Sequence, residues 1–444
     1  MRMRTAFGIC GVCLVMALVQ GCGKSETEVA AGKKTVTIWW AQWAPADGLQ
    51  QLGDEFEKET GIAVKVHQIP WTSYQDQVFL NFGNRQTDFD IVVGDSQWIG
   101  RCATRGLYLE LTDWLPTAVD MGTVNERVKR YMCEYPAGSG RYYAAPCETD
   151  AIGFAYRKDW FENAKEKEAF KAKYGRELGA PDTWEEFRDI AEFFYRPEEK
   201  RYGCAPLTGR GYDSLIMGFQ QIMWTFGGAW GDPGTYRVDG YANSDASVES
   251  LKFLKELLKF APKGASNFGY DGTLEAFTNG STAMVMDYFA FFPGIVEAMG
   301  EKAGFFVLPR KGDRRIISLG GQGLSISAKV PSQQQEVAKK FVAWFLQTKI
   351  QKQWITKPAG FTANTEILSS EEFQKANPYN KAFAESLECL QDFWNVPEYN
   401  ELLAIAQQYV GEALDGVKTP EEALNAIVKE HEAIFVKAEL LKGE

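Results

Sequence analysis

From Lys34 onward the chain alternates between two hydrophobic periods, and this alternation restricts its fold more than any other feature. TVTIWW reads as a strand, and the stretch after it places Leu49, Leu52 and Phe56 on one face of a helix that stops at Gly61. IAVKVHQI follows, with Ile62, Val64 and Val66 on one side, then a helix through Tyr74, Val78 and Phe82, then the strand FDIVVG. Strand–helix–strand–helix–strand predicts an α/β unit with a parallel sheet and right-handed crossovers. Ligands of such sheets sit beyond the carboxyl ends of the strands. Those ends are residues 41–43, 70–71 and 95–98, so three successive tips each carry a tryptophan.

The pattern changes later. YYAAPCETDAIGFAYRKDWF (142–161) is a long extended segment with a polar centre, and Glu148 and Asp150, two apart within it, share a face. Residues 183–300 read as mostly helical: Thr183 and Glu186 form a capping box ahead of Phe187, and Val248, Leu251 and Leu258 share a stripe. Extended structure returns at GFFVLP (304–309) and LGGQGLSIS (319–327). A helix over 331–346 then buries Val337, Phe341, Trp344 and Phe345. The last helix opens at Thr419-Pro420-Glu421-Glu422, a capping box with proline at its first position. The length suffices for two domains, and no Pro/Gly/Ser linker appears after residue 34. Two domains without a linker imply a chain that crosses between them several times.

The N-terminus reads MRMRTAFGICGVCLVMALVQGC. Arg2 and Arg4 precede an apolar run over 6–20, shorter than the roughly 20 residues a membrane-spanning helix needs, so residues 1–21 are predicted to be a cleaved signal peptide. LVQGC resembles a bacterial lipobox. That likeness implies a lipid on Cys22, a flexible tether over 22–34, and an exported chain held at a membrane in the periplasm or on the outer cell surface. The formal net charge is −11, and losing Arg2 and Arg4 with the leader makes it more negative still. No basic face for nucleic acid is expected on such a chain.

Beyond Cys22 stand Cys102, Cys133, Cys147, Cys204 and Cys389. Five is odd, so at most two disulfides can form and one thiol is left over; an oxidising compartment permits the pairing. Their spacing holds no CxxC, which argues against zinc. The two histidines are His67, inside a strand, and His431, near the end of the last helix; neither G-x-S-x-G nor a P-loop occurs. No metal or cofactor is expected.

A lipobox leader, WWAQW, FDIVVGD, PCETDAIGFAYRKDWF, TWEEFRDIA, FGGAWGDPG, GSTAMVMDY, VLPRKGDRR, GGQGLSIS and EVAKKFVAWFL occur in that order. Together they resemble the carbohydrate-type solute-binding proteins of bacterial ABC importers, the group that contains maltose-binding protein. What the resemblance implies is a two-lobed periplasmic-binding-protein fold of type II. Each lobe would be a mainly parallel sheet flanked by helices, and a three-segment hinge would join them. Residues 35–147 and 304–347 would form the N-terminal lobe, 148–303 and 348–444 the C-terminal lobe. Such a protein is a monomer that closes on a sugar or polyol and presents it to permease subunits. Asp287 stands where maltose-binding protein has asparagine, and Tyr-Phe-Ala replaces the neighbouring Gly-Pro-Trp, so a maltose ligand is not implied.

A sugar ring offers one face of C–H groups and a rim of hydroxyls, and is bound by indole rings among carboxylates and amides. The first-lobe tips supply Gln42, Trp43, Trp71, Ser96, Gln97 and Trp98, alongside Asp95. From the second lobe the candidates are Glu148 and Asp150 on the hinge segment, Trp224 and Trp230 around Gly227 and Gly228, and Asp287 and Tyr288; Gln322 with Gly321 lies in the turn before the third sheet strand. Asp150 matches the position of a ligand carboxylate in maltose-binding protein. The alternatives are a binder of another solute, such as a polyamine, and a secreted glycoside-acting enzyme using paired carboxylates. The interleaved lobes and the missing barrel repeat favour a binder over an enzyme.

Overall fold

The computed structural model describes residues 34–441, so the predicted signal peptide, Cys22 and nearly all of the tether lie outside the described residues. Nine strands occur among them: β1 (Thr35–Ala41), β2 (Ala63–Ile69), β3 (Ile91–Asp95), β4 (Ala145–Arg157), β5 (Tyr202–Ala205), β6 (Thr282–Tyr288), β7 (Ala303–Phe306), β8 (Ile317–Ile326) and β9 (Leu390–Gln391). β1 lies between β2 and β3, parallel to both, as the alternation predicts. Val36, Ile38 and Trp40 are buried and the residues between them less so, the period-2 signature of a strand. The helix α1 (Ala44–Thr60) buries Leu49, Leu52 and Phe56, and sets Phe56 edge-on to Phe341 and Trp344. Gly61 ends α1 at φ 73°, a left-handed cap that glycine adopts without strain. The helix α2 (Trp71–Phe82) buries Tyr74, Val78 and Phe82.

The strand order is β2-β1-β3-β8-β4-β6-β5, with β7 on β4 and β9 on β8. β4 and β8 are the long shared members. Residues 145–151 of β4 pair antiparallel with 319–324 of β8, whose far end pairs with β3; residues 152–157 of β4 pair with β6 and β7. Two lobes therefore hang on two strands that run through both. The expected mainly parallel sheets are mixed, because these through-running strands oppose their neighbours.

Two changeovers fall elsewhere than the sequence suggests. β7 pairs with 154–157 of β4, so residues near 304 stay with the second lobe and the crossing lies in β8. The helix Thr348–Trp354 remains with the first lobe, where Trp354 sits 6.5 Å from Trp40. The chain then returns over 359–364: Thr149 N–H donates to Phe361 O at 3.2 Å, and Asn125 N–H to Ala363 O at 2.9 Å.

Both predicted capping boxes are present, Thr183 with Glu186 and Thr419 with Glu422. On the helix Asp245–Leu257 the buried stripe is Leu251, Leu254 and Leu257; Val248 and Leu258 are only partly covered. The pairing that the sequence permits is not formed among these five. All five cysteines are free thiols, four of them buried as small apolar side chains, and burial pushes Cys102 up to about 12.

Candidate functional site

The site is laid out by strand register. Asp95, the last residue of β3, lies opposite Gln322 of β8, and Gln322 lies opposite Glu148 of β4. Directly opposed residues of antiparallel strands project to the same face, so the three side chains form one row across the sheet. Gln322 joins the row to β1: its Nε2 donates to Asp95 Oδ1 at 3.0 Å and its Oε1 accepts from Trp40 Nε1 at 2.7 Å. Glu148 is 0% exposed, and neither carboxylate oxygen has a hydrogen-bond partner. Two glycines permit this crossing. Gly321 has φ +93°, and a Cβ there would come 2.3 Å from Glu148 O; over Gly320 lies the Tyr288 ring.

An aromatic run leads outward from the row. Trp43, where α1 begins, packs edge-on to Trp40 at 5.6 Å and to Trp71 at 5.3 Å; Trp71 lies 6.5 Å from Tyr212 of the second lobe. Trp71 is 37% exposed, and the half-buried Trp43 keeps its Nε1–H without a partner. Sequence puts these rings there: WWAQW carries β1 past its end at Ala41 to Trp43, and Pro70 stops β2 one residue before α2 begins.

The second lobe meets the β3 tip through carboxylates. The Tyr212 hydroxyl donates to Asp95. Asp213, beside it, accepts from Gln97 Nε2 at 3.3 Å and from the Tyr270 hydroxyl at 2.5 Å. Asp392, just after β9, accepts from the Ser96 hydroxyl at 2.7 Å. Burial pushes Asp213 and Asp392 up to about 7, and mutual repulsion with Asp95 adds to it. Burial, then Asp150 and Asp95, hold Glu148 well above the usual carboxylate range. Among the described residues no group of three or more His, Cys, Asp or Glu side chains could hold a metal ion.

Residues 40–352 match the family model of the bacterial extracellular solute-binding protein. The chain belongs to this family. The solute-binding protein is therefore exported. None of its described helices is long and apolar enough to cross a membrane. It is 22% identical to a probable amino-acid ABC transporter periplasmic-binding protein of Sinorhizobium fredii, covering 97% of this chain and 96% of that one. It is equally 22% identical to a mannitol-binding protein of Pseudomonas aeruginosa, over 90% and 92%. Its fold is similar to that of an ABC transporter solute-binding protein of Agrobacterium radiobacter in complex with ribitol. The TM-score is 0.77 at 25% identity, covering 90% of this chain and 99% of that one.

The remaining candidate residues of this solute-binding protein divide. Asp150 shares the face of Glu148, but its carboxylate is occupied by backbone N–H groups, Ala151 at 2.7 Å and Ala290 at 3.2 Å. It ties β4 to the 3-10 turn Phe289–Phe291. Asp287 is likewise engaged, accepting from the Thr273 hydroxyl at 2.6 Å and from Tyr288 N–H at 2.8 Å. Tyr288 donates to Leu319 O at 3.0 Å. Gln42 is an exposed rim residue whose backbone N–H donates to Ile69 O.

Three tryptophans go to the core. The 3-10 turn Ser96–Trp98 tucks the Trp98 ring under the tip, 5.5 Å from Tyr74 and 5.4 Å from Phe79. Trp224 is buried in the nearly all-buried helix Ser214–Phe226. Trp230 packs on Phe219 and Phe393, and its Nε1 donates to Gln220 Oε1 at 3.1 Å. The sequence reading missed Tyr212, Asp213 and Asp392. The only signal for the first two is the Gly-rich loop GRGYDS before a helix, where Tyr212 takes φ 50°; Asp392 lies in LQDFWN with no pattern around it.

Proposed function

We propose that this protein captures a sugar or polyol between its lobes and delivers it to an ABC permease, held near the membrane by a lipid on Cys22. One observation carries the reading: Glu148 in the row, and Trp43 Nε1 in the aromatic run that leads outward from it, are a buried acceptor and a buried donor without partners. Such groups cost free energy until a ligand pairs with them, and hydroxyls pair with both kinds. The mannitol-binding relative and the ribitol complex support a ligand of this type. The relative named for amino acids supports it less, because an α-carboxylate needs a cationic partner and the row has none.

Catalysis is not part of this function. A glycosidase needs two carboxyl groups free to act on the glycosidic bond, and Asp150 is fixed by backbone donors. The test is a thermal-shift screen of the purified protein against mono-, di- and oligosaccharides, polyols, amino acids and polyamines. A binder is stabilised by mass action and returns its ligand intact. A screen in which only amino acids or polyamines raise the melting temperature, or in which a glycoside is cleaved, would overturn the proposal.

A further inference from the structure

We propose that the ligand carries a protonated amine beside its hydroxyls, as an amino sugar or amino polyol does, with the ammonium held by Glu148 and the ring or chain against Trp43 and Trp71. The inference rests on the sugar or polyol reading and narrows it.

Six carboxylates line or underlie the place where the lobes meet: Asp95, Glu148, Asp150, Asp213, Asp287 and Asp392. Every partner they have is neutral. Asp95 accepts from Gln322 and Tyr212, Asp150 from backbone N–H, Asp213 from Gln97 and Tyr270, Asp287 from Thr273 and Tyr288 N–H, Asp392 from Ser96 and Phe393 N–H. Among the described residues, no lysine, arginine or histidine forms an ion pair with any of the six.

Glu148 supplies an observation independent of that acidity: it is wholly buried, both oxygens are unpartnered, and its cross-strand neighbour is the Gln322 that holds Asp95. A buried carboxylate is expensive without a counter-charge. A ligand hydroxyl would satisfy the hydrogen bond but give the buried acid no counter-charge to offset the burial that resists its ionisation. An ammonium does both, since it brings three donors for the two Glu148 oxygens. An acidic sugar, a sugar phosphate or a free amino acid would place an anion here with no partner.

Isothermal titration calorimetry tests this with matched probes: glucose and glucosamine, galactose and galactosamine, sorbitol and 1-amino-1-deoxysorbitol. In at least one pair the amine should bind tighter than its neutral partner, and Glu148→Gln should weaken that amine by about 30-fold or more, a clearly larger loss than it causes for the neutral partner. Glu148→Gln keeps the shape and replaces a buried acid by a neutral amide, so its melting temperature without ligand should equal or exceed that of the parent. A neutral member that binds as well as its amine in every pair overturns this inference and leaves the sugar or polyol reading intact. An amine that binds equally to Glu148→Gln overturns it too. If none of the six binds and only a neutral oligosaccharide or polyol does, this inference falls and the sugar or polyol reading stands; if only amino acids or polyamines bind, both fall.

Discussion

At the scale of single residues, two acids that the sequence sets side by side do different work. Glu148 and Asp150 lie on one face of one strand, yet Asp150 is held by backbone donors while Glu148 has none. Asp150→Ala should therefore act first on stability. It strips the acceptors from Ala151 N–H in β4 and from Ala290 N–H in the 3-10 turn Phe289–Phe291, a loss of about 1–3 kcal/mol that urea denaturation would register. An Asp150→Ala protein as stable as the parent, with weakened binding alone, would return Asp150 to the ligand. Trp43→Ala has the opposite profile. Its Nε1–H bonds nothing and its ring is half-buried, so calorimetry should find affinity for the bound sugar or polyol lowered by about a kcal/mol or more, against a smaller change in folding stability. Unchanged affinity would take Trp43 out of the site.

At the scale of elements, legibility followed periodicity. β1, β2 and β3 and the helices between them were readable because period-2 and period-3.6 stripes coincide with burial there. Their tips were readable as a consequence, and Trp43 and Trp71 do meet at the rim. Trp98 misled because a 3-10 turn rotates its ring beneath the tip, and no pattern announces a turn of that kind. Asp213 and Asp392 were invisible because they sit on loops, where placement depends on how the second lobe docks. The hinge was half legible: the extended run through Glu148 identified β4, but no local signal says that β8, and not β7, makes the second crossing. Gly321 marks that crossing in hindsight. Gly321→Ala would force an L-residue to φ +93° and bring a Cβ 2.3 Å from Glu148 O. Strain alone should cost about 1–3 kcal/mol, and the displaced β4–β8 register should misplace Gln322. A Gly321→Ala variant with parental urea midpoint and affinity would show that the two strands are free to separate there.

At the scale of the whole molecule, the lobes already touch through carboxylates, and this makes closure depend on pH. Ser96–Asp392, Gln97–Asp213 and Asp95–Tyr212 each join the first-lobe tip to a second-lobe loop or hinge-flanking segment. Burial between the lobes pushes Asp213 and Asp392 up to about 7, so the closed form keeps protons that solvated carboxylates release near pH 4. Opening exposes these groups and lets them ionise. The closed form is thus fully favoured below the ordinary carboxylate range and loses ground as pH rises through about 7. Each pH unit in that window removes about 1.4 kcal/mol per group, and two such groups are enough to reverse an equilibrium that lies within a few kcal/mol. Small-angle scattering of the ligand-free protein should find a smaller radius of gyration at about pH 5 than at about pH 8.5. Saturating ligand should restore the compact value at the higher pH, because its contacts with both lobes offset the cost of ionising carboxylates buried between them. Equal radii at both pH values without ligand would mean that the carboxylates titrate without moving the lobes, and closure would then be set by packing alone.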